Sequence, residues 1–261
     1  IEVANRLPYY AAAAWYHKKL PPALQQKDLL EVLPKAEQYT IHTLIPALVK
    51  GGTLSEQDRK LIIDSMAYYS GISKTVIDQH NLEVPKAFFW KELLRTSQGY
   101  TVGRLDSRYK GMDVKEAGER PDYNSELTAW LHAFTPAINY YIGEELKFKT
   151  DLKYNMFGPV HPWDRSNNNS GEALRSAMTM NPNLHTMIQS GYFDGATTYF
   201  NAKYVMWQLN ANRKLGERLD FKGYRSGHMM YLRNEDLIQA NQDIRDFIVK
   251  SSKKIQSGSK Y

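Results

Sequence analysis

Two short segments near the end of the chain hold the residue types of proton-transfer catalysis. SGYFDGATTYF places Asp194 just after a strand-like run, and GYRSGHMMYL places His228 just after another. A carboxylate beside an imidazole fixes the ring's tautomer and steadies the cation formed when the ring takes a proton; these are the orienter and general base of acyl transfer. Acid before histidine is one of the chain orders that such sets use. The nucleophile that should precede them is not found. No G-x-S-x-G occurs, Ser226 lies one position out of step in Gly223-Tyr224-Arg225-Ser226-Gly227, and Ser170 follows three asparagines. Taken singly, Asp194 before two small residues also suits a turn or helix cap, and a lone His after Gly suits a structural role. Their joint placement at consecutive strand ends favours chemistry.

The elements that must position the pair are strands and helices in alternation. Leu184 to Gln189 reads as a short strand, Thr197 to Leu209 as a helix, and Leu219 to Tyr224 as a second strand. A last helix, capped by Asn234, carries Leu237, Ala240, Ile244, Phe247 and Ile248 on one face. Strand, acidic loop, helix, strand, histidine loop, helix is the closing portion of a doubly wound α/β sheet, whose functional loops lie at strand C-terminal ends.

Upstream the pattern is helical. LPYYAAAAWYHKKL suits a helix ending before Pro21-Pro22, its four alanines implying close packing against another surface. Pro34 suits a helical first turn ahead of Ile41, Leu44, Ile45 and Leu48, and Gly51-Gly52 is a stop. Thr53-Leu54-Ser55-Glu56 has the form of a capping box, with Leu61, Ile62 and Met66 following on one face. Ser73 and Pro85 open further helices, 99–122 is irregular with one short extended piece, and another helix starts near Ser125 and kinks or restarts at Pro136. Roughly 100 residues without a hydrophobic strand are what a helical insertion looks like.

The composition sets bounds on these readings. At 261 residues, with 42% hydrophobic and 24% charged, the chain can bury a substantial core. The absence of cysteine removes thiol nucleophiles, disulfides and Cys-ligated metals. The net charge of +6 is scattered, without an arginine run or recognition helix, which argues against nucleic acid as a partner. Neither a signal peptide nor a membrane span is visible, and the abrupt start at Ile1 suggests a segment upstream.

SGYFDG followed by RSGHMMYL resembles the Asp and His segments of the serine carboxypeptidase family, and YAAAAWYHKKL and YTVGRLDSRYKG resemble segments of its bacterial branch. The likeness runs from about Leu7 to Val249. It implies the C-terminal part of an α/β-hydrolase fold: a core-associated helix at 1–19, a helical cap at 20–150, the hydrolase portion at 151–250 and a polar tail at 251–261. It implies that Asp194 and His228 are catalytic and that Met229 walls the pocket for the terminal side chain of a peptide substrate. It implies no cofactor and no metal, and a periplasmic or secreted location. The family's Gly-Glu-Ser-Tyr-Gly elbow and its early Asn-Gly-Gly loop are not present. The chain alone is therefore expected to be inactive, and to need an N-terminal part of the same enzyme, either a partner chain left after cleavage or a preceding stretch of one longer polypeptide, to supply the serine. The rival expectation is a catalytically silent peptide-binding or scaffold protein derived from that fold.

Other residues offer weaker chemistry. His17, His42, His80 and His132 lack partners at zinc-motif spacing and suit core or surface roles. His161 in GPVHPWDR suits a rigid turn, and Asp106 and Arg108 a local ion pair. Tyr68-Tyr69 and Tyr140-Tyr141 suit either core packing or a cap lining an apolar cleft, and Asn168-Asn169-Ser170 matches a glycosylation sequon.

Overall fold

The fold is a helical assembly seated on a small parallel sheet, and helix α1 (Leu7–Tyr16) lies between the two. This computed structural model describes residues 1–258 other than 153, 156, 157, 159–161, 165, 167 and 211, with side chains described as far as 252. His161 and the side chains of Lys253 and Lys254 fall outside that description.

Alanine explains the position of α1. Ala11 to Ala14 are fully buried, and their short side chains let α1 pack directly against α3 (Leu29–Tyr39), α5 (Glu56–Ser70) and α11 (Tyr199–Leu209). Gly71, which ends α5 in the left-handed region, packs so closely on Lys19 and Ala14 that a side chain there would overlap Lys19. The first core joins α1, α3 and α5 to α6 (Lys74–Gln79) and α7 (Lys86–Glu92), with Tyr10 stacked on Phe89 at 3.9 Å. A second core carries Ala12, Leu29 and Leu33 onto Phe193, Tyr199 and Phe200. The helical portion and the site loops thus share one packed interior.

After the short α2 (Pro22–Gln25), the helix starts differ from the sequence expectations in two places. Asp28 opens α3 with a capping box completed by Glu31, so Pro34 lies inside the helix rather than in its first turn. The carbonyl that proline leaves unbonded belongs to Leu30, which is half exposed, so water can satisfy it. The cap of α5 is Ser55, two residues later than the Thr53 box, while Thr53 donates back to Lys50 O. Along α5, Leu61 faces solvent whereas Ile62 and Met66 lie inside. A π turn, Thr40–Leu44, links α3 to α4 (Ile45–Lys50).

After α8 (Arg95–Gln98), β1 (Thr101–Val102) and β2 (Lys110–Gly111) form a minimal antiparallel pair. Helix α9 (Leu127–Tyr140) continues past Pro136 without restarting and leads into a second π turn, Tyr141–Glu145, and α10 (Ser170–Met180) is a helix that the sequence did not announce.

The site rests on β3 (Thr186–Gly191) and β4 (Leu219–Tyr224), parallel partners in register from Thr186 with Leu219 to Gly191 with Tyr224. Strand β3 starts two residues later than its hydrophobic run, and β4 falls where expected. Side chains alternate across them: Leu219 and Phe221 face α10 and α11, whereas Asp220, Lys222 and Tyr224 face α12 (Asn234–Gly258). The class is mixed helix and parallel sheet, with helices on both faces of the pair. Two corrections concern α12. Asn234 is its first residue rather than its cap, and its inward face is Asp236, Ala240, Asp243 and Phe247, while Leu237, Ile244 and Ile248 are exposed. Carboxylates point inward because they have partners there: Tyr224 and Lys222 for Asp243, Ser226 and Arg233 for Asp236. The expected polar tail continues as helix to Gly258.

Candidate active site

Both loops begin at the C-terminal ends of β3 and β4, where backbone register brings them side by side. Tyr192 N donates to Tyr224 O at 2.9 Å and Phe193 N to Ser226 O at 3.0 Å, extending the ladder past the strands. Gly191 is required by this approach, since a Cβ there would lie 2.1 Å from Gly227 O.

The carboxylate and the imidazole meet. His228 Nδ1 lies 2.8 Å from Asp194 Oδ2, so the acceptor carboxylate assigns the proton to Nδ1 and leaves Nε2 basic and free to receive one. Asp194 is buried and fully engaged: Oδ1 accepts from the Ala196 and Thr197 amides at 2.8 and 3.1 Å, and Oδ2 from the Thr197 hydroxyl at 2.5 Å as well as from His228. The turn role and the orienting role are therefore filled by the same residue; it does not cap α11, whose N-cap is Thr198. The His228 side chain is 47% exposed, which leaves the ring open on the side away from Asp194.

A third segment, missed from sequence, holds both loops. In GRLDSR, Arg104 O accepts from Gly195 N at 3.0 Å, Leu105 O from His228 N at 2.7 Å, and Ser107 N donates to Phe193 O at 3.0 Å. Arg108 forks onto Asp106 and donates to Arg225 O at 2.9 Å, so the expected ion pair exists and it braces the histidine loop. Gly227 packs so tightly on this segment that a Cβ would fall 2.5 Å from the Asp106 Cβ. Beneath Gly195 lie Tyr9 and Trp90, joined by an indole-to-phenol bond of 2.9 Å. Burial raises the Tyr9 pKa well above its ordinary value, so the phenol stays neutral. Lys86 Nζ caps Ala196 O at 3.0 Å.

GRLDSR is anchored in turn by a buried acid. Glu126 is fully buried; its Oε1 accepts from Leu105 N at 2.9 Å, and its Oε2 presses on Gly103 with no hydrogen-bond partner. Burial pushes its pKa above the ordinary carboxylate range. His17 Nε2 donates to Ser107 O at 2.6 Å, and burial holds that ring below its usual value.

The remaining candidates are placed elsewhere. Met229 follows His228 half-buried, its carbonyl accepting from Leu232 N at 3.1 Å. Ser226 is buried under the histidine loop and bonds Asp236, so its hydroxyl serves the packing of α12. His80 donates to Val76 O and packs on Phe88. Tyr141 borders an apolar cavity of about 370 Å³ with Phe134, Ile138 and Tyr154, whereas Tyr68 lies at a different surface. Among the described residues no group of three or more His, Asp or Glu side chains suits a metal ion, and no helix is long and apolar enough to cross a membrane.

Comparison of the chain with protein-family models, curated proteins and solved structures finds no match.

Proposed function

We propose that this chain is the Asp- and His-bearing part of a serine carboxypeptidase-like peptidase, with an α/β-hydrolase core and a helical cap. Its nucleophile comes from an N-terminal part of the same enzyme, as a partner chain or as a preceding stretch of one longer polypeptide. The observation that carries the reading is the 2.8 Å contact of an exposed imidazole with a fully bonded carboxylate at two adjacent parallel strand ends. In the assembled enzyme His228 would take the proton of the serine as it attacks the peptide carbonyl, and return it to the leaving amine. Asp194 would hold the ring and stabilise its cation. Met229 would border the pocket for the departing residue, and the resemblance places the enzyme in the periplasm or outside the cell.

Two further features support a missing partner. The β3–β4 pair has no other strand beside it among the described residues, and open strand edges are ordinarily paired or covered. Helix α12 also presents Leu237, Ile238, Ile244, Ile248 and Val249 to solvent.

The test has two arms. Native mass spectrometry of protein purified from its source should show a serine elbow, either on a second polypeptide or on a longer form of this one. In that assembly His228→Ala should abolish release of C-terminal residues, and Asp194→Asn should lower kcat by about 10⁴, with circular dichroism unchanged. A lone, folded, monodisperse 30.1 kDa species without activity would leave the silent binding protein as the correct reading.

A further inference from the structure

Helix α9 leaves the core after its first turn. Trp130 is its one buried residue, and every residue from Leu131 to Tyr140 is exposed or half-buried. Yet from Leu127 to Gly143 the sequence holds no Asp, Glu, Lys or Arg, in a chain that is 24% charged. A helix facing water carries charge on its outer side, whereas the centre of a protein interface is depleted of charge and rich in aromatic rings. Phe134, Tyr140 and Tyr141 give α9 and its π turn the second character.

The apolar side chains form one seam. Leu131, Phe134, Ile138 and Tyr141 follow alternating spacings of three and four residues, the pattern by which two helices interlock. Phe134, Ile138 and Tyr141 also line the cavity of about 370 Å³ bordered by Tyr154, so the seam is concave as well as apolar. Pro136 lies on the opposite side of the helix, where its ring and missing amide do not meet the seam.

The seam is complementary to itself. Turned antiparallel about a two-fold axis level with Pro136, it sets Leu131 beside the partner's Tyr141 and Phe134 beside the partner's Ile138, each contact made twice. The same register brings Leu127 beside the partner's Glu145. Leu127 borders a cavity that also holds Arg104 and Arg120, and neither these arginines nor Glu145 form an ion pair among the described residues. Each copy thus brings an acidic helix end to the other's two guanidinium groups, and opposite helix dipole ends meet. A lipid surface fits less well, since helices that lie in a bilayer interface carry Lys and Arg on their polar side and α9 has none.

We propose that two copies of this chain pair antiparallel through α9. With half or less of each seam residue uncovered, the seam and Tyr154 would bury roughly 500 Å² per copy, at the lower end of specific interfaces. The dimer should therefore be reversible, with Kd on the order of 10 µM. The pairing does not rest on the peptidase reading, and it leaves α12 and the open sheet edge to the serine-bearing part.

Sedimentation velocity of the full chain over a concentration series tests the pairing. The mass should rise from 30.1 kDa to twice that value. Ile138→Asp buries an unpaired carboxylate at two places in the seam and should weaken association at least about 100-fold, whereas Ile244→Asp on the exposed side of α12 should leave it intact; both side chains are partly exposed, so circular dichroism should not change. The register is read by cross-linking, which is clean because the chain has no cysteine of its own. A mixture of Phe134→Cys and Ile138→Cys chains should be joined by a short bis-maleimide into mixed dimers, and each variant alone should link poorly. Four results would overturn the assignment: a mass of 30.1 kDa at every concentration, dimers of Ile138→Asp as tight as the parent's, loss of the dimer in Ile244→Asp, or each cysteine variant linking to itself as readily as to the other. Loss of self-association once a serine-bearing part is bound would give the seam to that part and overturn it as well. A dimer that never cleaves peptides in the complete assembly removes the peptidase alone.

Discussion

At the scale of single residues, the dyad depends on a side chain that touches neither member. Glu126 holds Leu105 N, and Leu105 O holds His228 N, so a buried carboxyl acts on the imidazole through one peptide unit. Because burial raises the Glu126 pKa in the folded state, the native protein favours the protonated acid more than the unfolded chain does. The linkage then has a definite sign: the stability this group contributes is complete below the unfolded value near 4.5 and is lost as pH rises through the higher native value. Glu126→Gln keeps an acceptor for Leu105 and removes the proton. Relative to the variant, the parent should therefore lose stability with a slope of up to about 1.4 kcal/mol per pH unit between those two values. Urea unfolding at a series of pH values reads this, and identical slopes for parent and variant would count against a buried, titrating Glu126. His17 works in the opposite sense: burial depresses its pKa, so its contribution is present above about 6.5 and fades as pH falls through the native value.

At the scale of elements, α3 and the histidine loop are joined by one carboxylate. Asp28 caps α3 by accepting from Leu30 N at 2.9 Å, and it receives Arg225 Nη2 on both oxygens at 2.5 and 2.6 Å. The two roles separate by substitution. Asp28→Asn keeps a good cap and loses the charge pair, which at this exposure should cost under about 1 kcal/mol. Asp28→Ala loses both and should cost about 1–2 kcal/mol. The Arg225 guanidinium lowers the Asp28 pKa, so the difference between parent and Asn variant should be present above about pH 4 and vanish as pH falls through the depressed value; thermal melts at two pH values check it.

The same scale shows why some of the structure could be read in the sequence and some could not. Strand β4 and helix α11 were legible because their apolar residues follow one period, and Asp194 and His228 because their side chains are the chemistry. The inward face of α12 was not, since Asp236 and Asp243 look like solvent residues until Ser226, Tyr224 and Lys222 are brought to them by the sheet. GRLDSR was missed as a brace because what it supplies is backbone carbonyls, which carry no side-chain signature. Arg104 and Arg120 are 16 positions apart in an irregular stretch, and only folding puts them around one cavity.

At the scale of the whole molecule, the sheet is smaller than its helices require. Two parallel strands carry α10 and α11 on one face and α12 on the other, yet outer backbone groups of both strands lack a ladder partner among the described residues. An α/β layer of this kind is ordinarily continued by further parallel strands. Continuation predicts a measurable asymmetry in hydrogen exchange. Along β3 and β4, amides pointing into the pair should be protected in the 261-residue chain, while the alternate set pointing outward should exchange rapidly. Adding the proposed serine-bearing part should protect the outward set on one strand and slow exchange along the apolar side of α12. It should also raise the melting temperature in proportion to the logarithm of its concentration above Kd. Uniform protection of both sets in the isolated chain, unchanged by any partner, would mean that the sheet is complete as it stands and that the nucleophile must be sought within this polypeptide.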